Sequence, residues 1–264
     1  MWNRDQYLKY MSERSKPFFD LLAKIPAGNY RHIVDLGCGP GNLTKALAEN
    51  WPDALVTGVD NSAAMLADVQ TLAAPGRLEF AQGDITSWKP AQPADLVFSN
   101  AALQWVSDHE RLLYHLAGML KTPGTLAVQM PIHMNTPAQK AILDVTHRAR
   151  WRQNLAGVGL QPGCVKPAAW YVRHLLQLGF QVEAWETTYM HLLLGDNPVL
   201  EWMKGTALRP LLERLDSVAR DEFLQEVGAG LPSAYPRIGG LTLFAFPRLF
   251  FIATRPVELH EPRL

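Results

Sequence analysis

Seven residues early in the chain, Asp35-Leu36-Gly37-Cys38-Gly39-Pro40-Gly41, carry the densest chemical signal. They follow an apolar run, His32-Ile33-Val34, and precede a helical pattern from Leu43 to Glu49. Glycines at alternate positions let the main chain turn sharply and approach a ligand with no Cβ in the way. The helix beyond Gly41 adds free N–H groups. Asp35 separates two uses of such a turn. A carboxylate there repels a pyrophosphate but can hold, directly or through water, a cationic amino group; the plainer alternative is a turn-capping Asp. The spacing Gly-x-Gly-x-Gly also differs from the Gly-x-Gly-x-x-Gly that seats a pyrophosphate. Both features disfavour a nicotinamide-dependent oxidoreductase.

Three more strand ends extend the pattern. Asp60, with Asn61 beside it, ends the next strand, where a carboxylate can accept both hydroxyls of a ribose. Met65 follows as a flexible apolar side chain suited to an adenine face. Gly83-Asp84-Ile85 ends a third strand with an acceptor for an exocyclic amine beside an apolar neighbour, and Asn100 ends a fourth. Acidic or amide residues at four successive strand C-termini line one edge of a sheet, where open α/β folds bind ligands.

The elements that must position these residues are legible as a cadence. Short apolar runs at His32–Gly37, Leu55–Asp60, Leu78–Ala81, Leu96–Ser99 and Thr125–Met130 alternate with helical patterns at Leu43–Glu49, Ser62–Leu72 and His109–Leu120. Strand, helix, strand in this order predicts right-handed βαβ units and a doubly wound parallel sheet. Ser62 is a helix N-cap, and Met65, Leu66 and Val69 share one face. Thr122-Pro123-Gly124-Thr125 predicts a type II turn that ends a helix and launches the fifth strand. Beyond Pro131 helices are expected over Ala138–Arg150 and Ala168–Leu178, with Gly179 as the stop. A strand is expected over Phe180–Thr188, a mostly helical insertion over Asn197–Leu231, and a last strand over Leu243–Ala253. Gly157–Pro167 is the expected flexible loop.

Composition narrows the classes of partner. Across 264 residues, 25 Lys+Arg balance 25 Asp+Glu, so no basic excess speaks for nucleic acid. No apolar run approaches the roughly 20 residues of a membrane span, and the N-terminus lacks a signal-peptide core. The cysteines, Cys38 and Cys164, are too few for a disulfide framework, so a reducing, cytoplasmic setting is expected. The eight histidines form no paired metal-ligand spacing, and no metal is expected. Cys38 lacks a nearby His at a defined spacing and reads as a small turn residue rather than a nucleophile.

These motifs resemble those of class I S-adenosylmethionine-dependent methyltransferases. Tyr7-Leu8 with Ser12-Glu13-Arg14-Ser15, Ser99-Asn100-Ala101-Ala102-Leu103-Gln104-Trp105, Val128-Gln129-Met130-Pro131, Thr187-Thr188-Tyr189, Leu208-Arg209-Pro210 and Ala245-Phe246-Pro247-Arg248-Leu249-Phe250 are similar, together, to the trans-aconitate 2-methyltransferase family over nearly the whole chain. The glycine loop is specific only to the superfamily; Gln104-Trp105 and the Phe-Pro-Arg-Leu-Phe strand are much more specific. Departures lie in the C-terminal half: Met190 within Tyr-Met-His, Glu186 where an Arg is common, Leu211 where a Trp is common, and the loop from Ala156 to Pro167.

The resemblance implies monomethyl esterification of a small polycarboxylic acid, with S-adenosyl-L-homocysteine released. It implies a Rossmann-like α/β domain over residues 1–264, with a cofactor-binding core at 31–131 and seven strands, six of them parallel. Residues 1–30 and a helical insertion at 195–235 would form a lid. The expected cofactor residues are Asp35, Gly37, Gly39, Gly41, Asp60, Asn61, Met65, Asp84, Ile85, Asn100 and Trp105, the last offering a π face to the sulfonium. Arg14, Arg209 and Arg248 are the candidates for the acceptor's carboxylates, because a guanidinium fork meets a carboxylate bidentately. Tyr7, Gln104, Tyr189 and His191 would add donors. An ionised carboxylate needs no general base, so no catalytic residue is nominated. The expected partner is a small carboxylic acid, with no nucleic acid or membrane, and the chain is expected to act as a monomer. Alternatives are a methyltransferase for another small-molecule or carrier-bound acid, and a non-catalytic cofactor-binding module.

Overall fold

The computed structural model describes residues 11–132, 136–158 and 164–256. Among the described residues eight strands form one sheet: β1 (His32–Leu36), β2 (Leu55–Asp60), β3 (Leu78–Gln82), β4 (Ala94–Asn100), β5 (Leu120–Pro131), β6 (Gln181–Leu193), β7 (Arg237–Ile238) and β8 (Leu241–Arg255). Their order is β3-β2-β1-β4-β5-β8-β6, with β7 paired to β8 outside that path. β3, β2, β1, β4 and β5 pair in parallel, and β7 is antiparallel to β8. The order reverses between β1 and β4, the switch point at which open sheets leave a crevice beyond their strand C-termini.

Ile33, Val34, Val56, Leu96, Val97, Phe98, Leu126, Ala127 and Val128 are all fully buried. Runs without polar alternation are what a sheet covered on both faces requires. Helix α1 (Met11–Leu22) supplies Phe18 and Leu21 to this core, and Phe18 meets Phe98 edge-on at 5.0 Å. Helices α2 (Asn42–Asn50) and α3 (His109–Ala117) follow β1 and β4, and Asp108 caps α3 by accepting the Arg111 N–H.

The chain divides into two compact units. The sheet unit comprises Ser15–Met130, Lys166–Glu186 and the chain from Leu249. The helical unit comprises the described chain up to Arg14, Pro131–Val165 and Thr187–Arg248, and the expected 195–235 insertion lies within it. It contains α4 (Pro137–Thr146), α5 (Ala149–Leu155), α7 (Pro198–Lys204), α8 (Arg209–Leu212), α9 (Ser217–Ala229) and α10 (Leu231–Ala234), while α6 (Ala168–Gln177) belongs to the sheet unit. Trp151, Trp202, Leu208, Phe223, Val227, Phe244 and Phe246 form the helical unit's own apolar core.

Several boundaries differ from the sequence reading. Ser62–Leu72 is not one helix. Ser62 Oγ does accept the Met65 N–H, but only a 3₁₀ turn, Val69–Thr71, follows. The Thr71 hydroxyl donates to the Asp68 carbonyl at 2.7 Å, the side-chain competition that favours turns over continued helix. The expected type II turn at Thr122–Thr125 lies instead inside β5, where the register shifts between the Ala94–Leu120 and Leu96–Thr125 pairs. Gly124 has no left-handed φ, which a type II turn needs at that position. Ala138–Arg150 is split into α4 and α5, and β6 runs on to Leu193, beyond the expected Thr188. Gly179, at φ 83°, ends α6 as expected.

Candidate active site

The glycine loop joins β1 to α2 through three left-handed residues, Gly37 at φ 78°, Gly39 at 56° and Gly41 at 79°. The Gly37 and Cys38 N–H groups both donate to the Val59 carbonyl, at 2.7 and 3.0 Å, which ties the loop to the end of β2. A side chain at Gly41 would strike the Phe80 ring at 2.8 Å, so packing as well as φ demands glycine there. Gly39 has nothing within 4 Å of where its Cβ would stand. The loop is therefore open on that side, as a surface meant for a ligand must be.

Two carboxylates flank the loop. Asp35 is 4% exposed, and its Oδ2 accepts the Thr44 hydroxyl of α2 at 2.7 Å. Burial pushes its carboxyl up to about 7; the Thr44 hydrogen bond opposes that and the nearby Asp60 charge adds to it. Asp60 accepts the Gly39 N–H at 3.0 Å through Oδ2 and the Ser62 N–H at 2.9 Å through Oδ1. A carboxylate has about four lone-pair sites, so both oxygens keep capacity for hydroxyl donors. Cys38 is buried, and burial with the Asp35 and Asp60 charges pushes its thiol far above the ordinary range. It stays a neutral thiol at physiological pH, unfit as a nucleophile.

Asp84 is exposed and accepts the Thr86 N–H and hydroxyl, both at Oδ1, which hold its carboxyl below the usual range. Ile85 Cδ1 lies 3.6 Å from the position a Gly37 Cβ would take, so Ile85 borders the loop. Met65 is half-buried; Asn61 is exposed, and its carbonyl accepts from Gln82 Nε2. Asn100 ends β4 with a buried Oδ1 that has no partner among the described residues. Gln104 is 5% exposed, its Nε2 donates to the Ala101 carbonyl at 2.7 Å, and its buried Oε1 also lacks a partner among the described residues. Trp105, beside it, is 45% exposed.

Of the acceptor candidates, Arg209, Arg248, Tyr189 and His191 fall in the helical unit, whereas Gln104 belongs to the sheet unit. Arg248 is 5% exposed, with its guanidinium 4.4 Å from the Phe246 ring centre. His191 is buried and stacks on Trp202 at 4.8 Å, and Tyr189, on the same face of β6, lies 6.3 Å from His191. Arg209 opens α8, and its Nε donates to Glu213 Oε1 at 3.1 Å. Arg14 lies in α1, but its side chain, like the whole of Tyr7, is outside the described residues. The departures sort by face. Met190 and Glu186 point outward from β6, opposite His191, whereas Leu211 is buried in the helical core. Leu211 lines an apolar cavity of about 50 Å³ with Ile142, Trp202, Phe244 and Phe246. Among the described residues no charged side chain lines that cavity, which makes it a poor fit for a polycarboxylate.

Sequence reasoning missed the supports of these groups. Thr44 was signalled only by its place on the first turn after the glycine loop. His109 and Tyr171 carried no signal, because residues so far apart in the chain reveal a contact only in the fold. His109 Nε2 donates to the Leu103 carbonyl at 3.0 Å, and its Nδ1 lies 2.5 Å from the Tyr171 hydroxyl. Among the described residues no group of three His, Cys, Asp or Glu could hold a metal, and no helix is long and apolar enough to cross a membrane.

Comparison with known proteins gives this geometry its context. A methyltransferase-domain family profile matches residues 33–124. The trans-aconitate 2-methyltransferase of Streptomyces avermitilis is 43% identical, over 96% of this chain and 96% of that protein. That of Klebsiella pneumoniae strain 342 is also 43% identical, over 96% of this chain and 98% of that protein. The chain belongs to the trans-aconitate 2-methyltransferase family. Solved structures agree on the family's fold. A putative methyltransferase from Haloferax volcanii, in complex with the Trm112 activator, superposes with a TM-score of 0.53 at 17% identity, covering 96% of this chain and 94% of that one. Phosphoethanolamine N-methyltransferase 2 of Haemonchus contortus, in complex with S-adenosyl-L-methionine, gives 0.53 at 18% identity, covering 96% of this chain and 53% of that one. A class I methyltransferase fold is thus common to the family and to more distant methyltransferases.

Proposed function

We propose that the protein transfers the methyl group of S-adenosylmethionine to one carboxylate of a small polycarboxylic acid, trans-aconitate, yielding its monomethyl ester. The observation that carries the cofactor reading is the buried Asp35 carboxylate behind an open glycine loop. Such a loop repels a pyrophosphate and welcomes a ligand with a cationic end. Asp60 would accept the ribose hydroxyls, Asp84 the exocyclic amine of the adenine, and Ile85 and Met65 its faces. The buried, unpartnered Oδ1 of Asn100 fits a ligand N–H or O–H donor. When bound, the cofactor supplies an electrophilic methyl on a sulfonium whose positive charge disappears in the transfer.

The remaining chemistry asks little of the chain in proton transfer. A carboxylate with an ordinary pKa near ~4 is ionised at neutral pH and attacks without a base. The residues contribute orientation, exclusion of water and neutralisation of the acid's other carboxylates, effects that together reach several kcal/mol. Arg248 and Arg209 are the cations proposed for that last task. The cysteines remain free thiols, which suits the reducing cytoplasm as the place of action.

A labelled-methyl screen over di- and tricarboxylates, with the product's mass measured, tests the reading. Label appearing in trans-aconitate as one ester group supports it. Label entering another acid keeps the reaction and replaces the acceptor, and cofactor binding without transfer to any acid leaves a non-catalytic module.

A further inference from the structure

Ala101 stands immediately after β4 at φ 55°, and it is the only non-glycine residue with positive φ among the described residues. For an alanine the left-handed conformation carries a roughly tenfold or larger population disadvantage, which the surroundings must overcome. Residue 101 is not itself the Gly, Asn or Asp that eases such a turn. The Ala101 N–H donates to the Gln129 carbonyl at 3.0 Å, continuing the β4–β5 ladder. Its carbonyl then accepts Gln104 Nε2 at 2.7 Å. Because a carbonyl can only accept, the Gln104 amide must present its nitrogen there, which fixes where its oxygen goes.

This orientation revises the role expected of Gln104. Its one established donor contact is spent on the main chain, and its buried Oε1 would repel a carboxylate rather than bind one. The same turn is pinned a second time at the Leu103 carbonyl by His109, and the Tyr171 hydroxyl that meets His109 accepts the Lys166 N–H. Asn100, whose buried Oδ1 lacks a partner among the described residues, is the residue just before the strained one. Ala102, just after it, packs where Gly37 has no side chain.

We propose that Gln104 is a positioning residue for methyl transfer, acting through Ala101: its amide nitrogen clamps Ala101 in the left-handed conformation and so fixes the turn that carries Asn100 and Ala102 beside the glycine loop. This rests on the methyl-transfer reading above. Gln104→Met has similar bulk but cannot donate. Glycine at position 101 adopts the left-handed conformation without penalty, so Ala101→Gly should compensate for the lost clamp.

The experiment compares the parent, Gln104→Met, Ala101→Gly and the double variant. Gln104→Met is expected to lower kcat about tenfold while moving the acid's KM less than threefold. In the ligand-free chain it should also speed hydrogen exchange at the Trp105 and Val106 amides, which close the turn onto Ala102 and Leu103. The double variant should regain most of the lost kcat and the slow exchange. Recovery of neither overturns the clamp; slow exchange without kcat overturns the positioning role and leaves a structural one. Should Gln104→Met fold poorly, Gln104→Glu serves instead. It should be impaired at neutral pH and partly restored, relative to the parent, where the new carboxyl is protonated and can donate to Ala101; an impairment independent of pH overturns the clamp. A parent that transfers no methyl group would remove the methyl-transfer reading instead, leaving the exchange arm to judge the clamp.

Discussion

The methyl group of Ala102 occupies the place where a side chain at residue 37 would begin: a Cβ built on Gly37 would fall 2.1 Å from Ala102 Cβ. The glycine loop and the turn after β4 therefore interlock, and the conformation of one constrains the other. Gly37 carries two demands, a φ of 78° and the absence of a side chain.

Gly37→Ala meets neither demand. It should cost about 2–4 kcal/mol of stability, combining left-handed strain with overpacking. Gly39→Ala keeps the strain but enters open space, so it should cost only about 1–2 kcal/mol. Its methyl would instead stand in the way of a ligand. Denaturant unfolding with calorimetric titration of S-adenosylhomocysteine separates the two. Gly37→Ala should be the less stable, and Gly39→Ala should lose more affinity than its stability change explains.

Asp35 makes both stability and binding depend on pH. Its carboxyl is raised to about 7 in the folded chain, first by burial, against an ordinary value of 3.8. A folded chain that holds its proton more tightly than the unfolded one is favoured in acid. That contribution is complete below about pH 4, and stability should fall as pH rises toward 7. A bound cation favours the ionised form, so binding should release a proton below pH 7. Affinity for S-adenosylhomocysteine should rise by up to about tenfold per pH unit toward 7, then level off. Asp35→Asn keeps an acceptor for Thr44, and it should flatten both profiles and weaken binding. A pH-independent affinity in the parent would return Asp35 to a purely structural role.

Asp60→Ala should affect loop order and ligand together. It strands the Gly39 and Ser62 N–H groups and removes the ribose's proposed acceptor. Each charged hydrogen bond is worth roughly 1.5–3 kcal/mol, so affinity should fall at least tenfold. Calorimetry finding an unchanged Kd would dismiss the ribose assignment.

The parallel core and its glycine loop were legible because their signals are local. The uninterrupted apolar runs of β1 and β4, the alternate glycines and the acids at strand ends each follow from a few adjacent residues. Ser62 signals a cap that does form, but the Thr71 hydroxyl competes for the Asp68 carbonyl, and a 3₁₀ turn replaces the expected helix. Ala101 could not be read at all, since an alanine at positive φ has no sequence mark and depends on Gln104 and β5. The Tyr171–His109–Leu103 chain was hidden for the same reason. Met190 illustrates the converse. It stood out as a departure in sequence, yet the period-two alternation of β6 turns it away from His191 and Tyr189.

Arg248 and Arg209 separate in the structure in a way their sequence contexts did not reveal. Arg248 is buried with its guanidinium over Phe246, and a lysine there would keep the charge but not the planar fork. Arg209 is partly exposed and already engaged by Glu213 along its own helix. A polyanion left without fixed cations in a dry site would be costly to desolvate, so the buried, preoriented fork should matter more. Arg248→Lys retains the charge and loses the fork, about one charged hydrogen bond, so the acid's KM should rise about tenfold. The Kd for S-adenosylhomocysteine should stay within about twofold of the parent's, because the change removes no proposed cofactor contact. Arg209→Ala should raise KM less, and Glu213→Gln, which frees Arg209 from its ion pair, should not raise it at all. Steady-state kinetics with varied acid, paired with calorimetry for the cofactor, reads all three. If Arg248→Lys weakened acid and cofactor equally, Arg248 would be a structural cation of the helical unit, and the acceptor's carboxylates would need another partner.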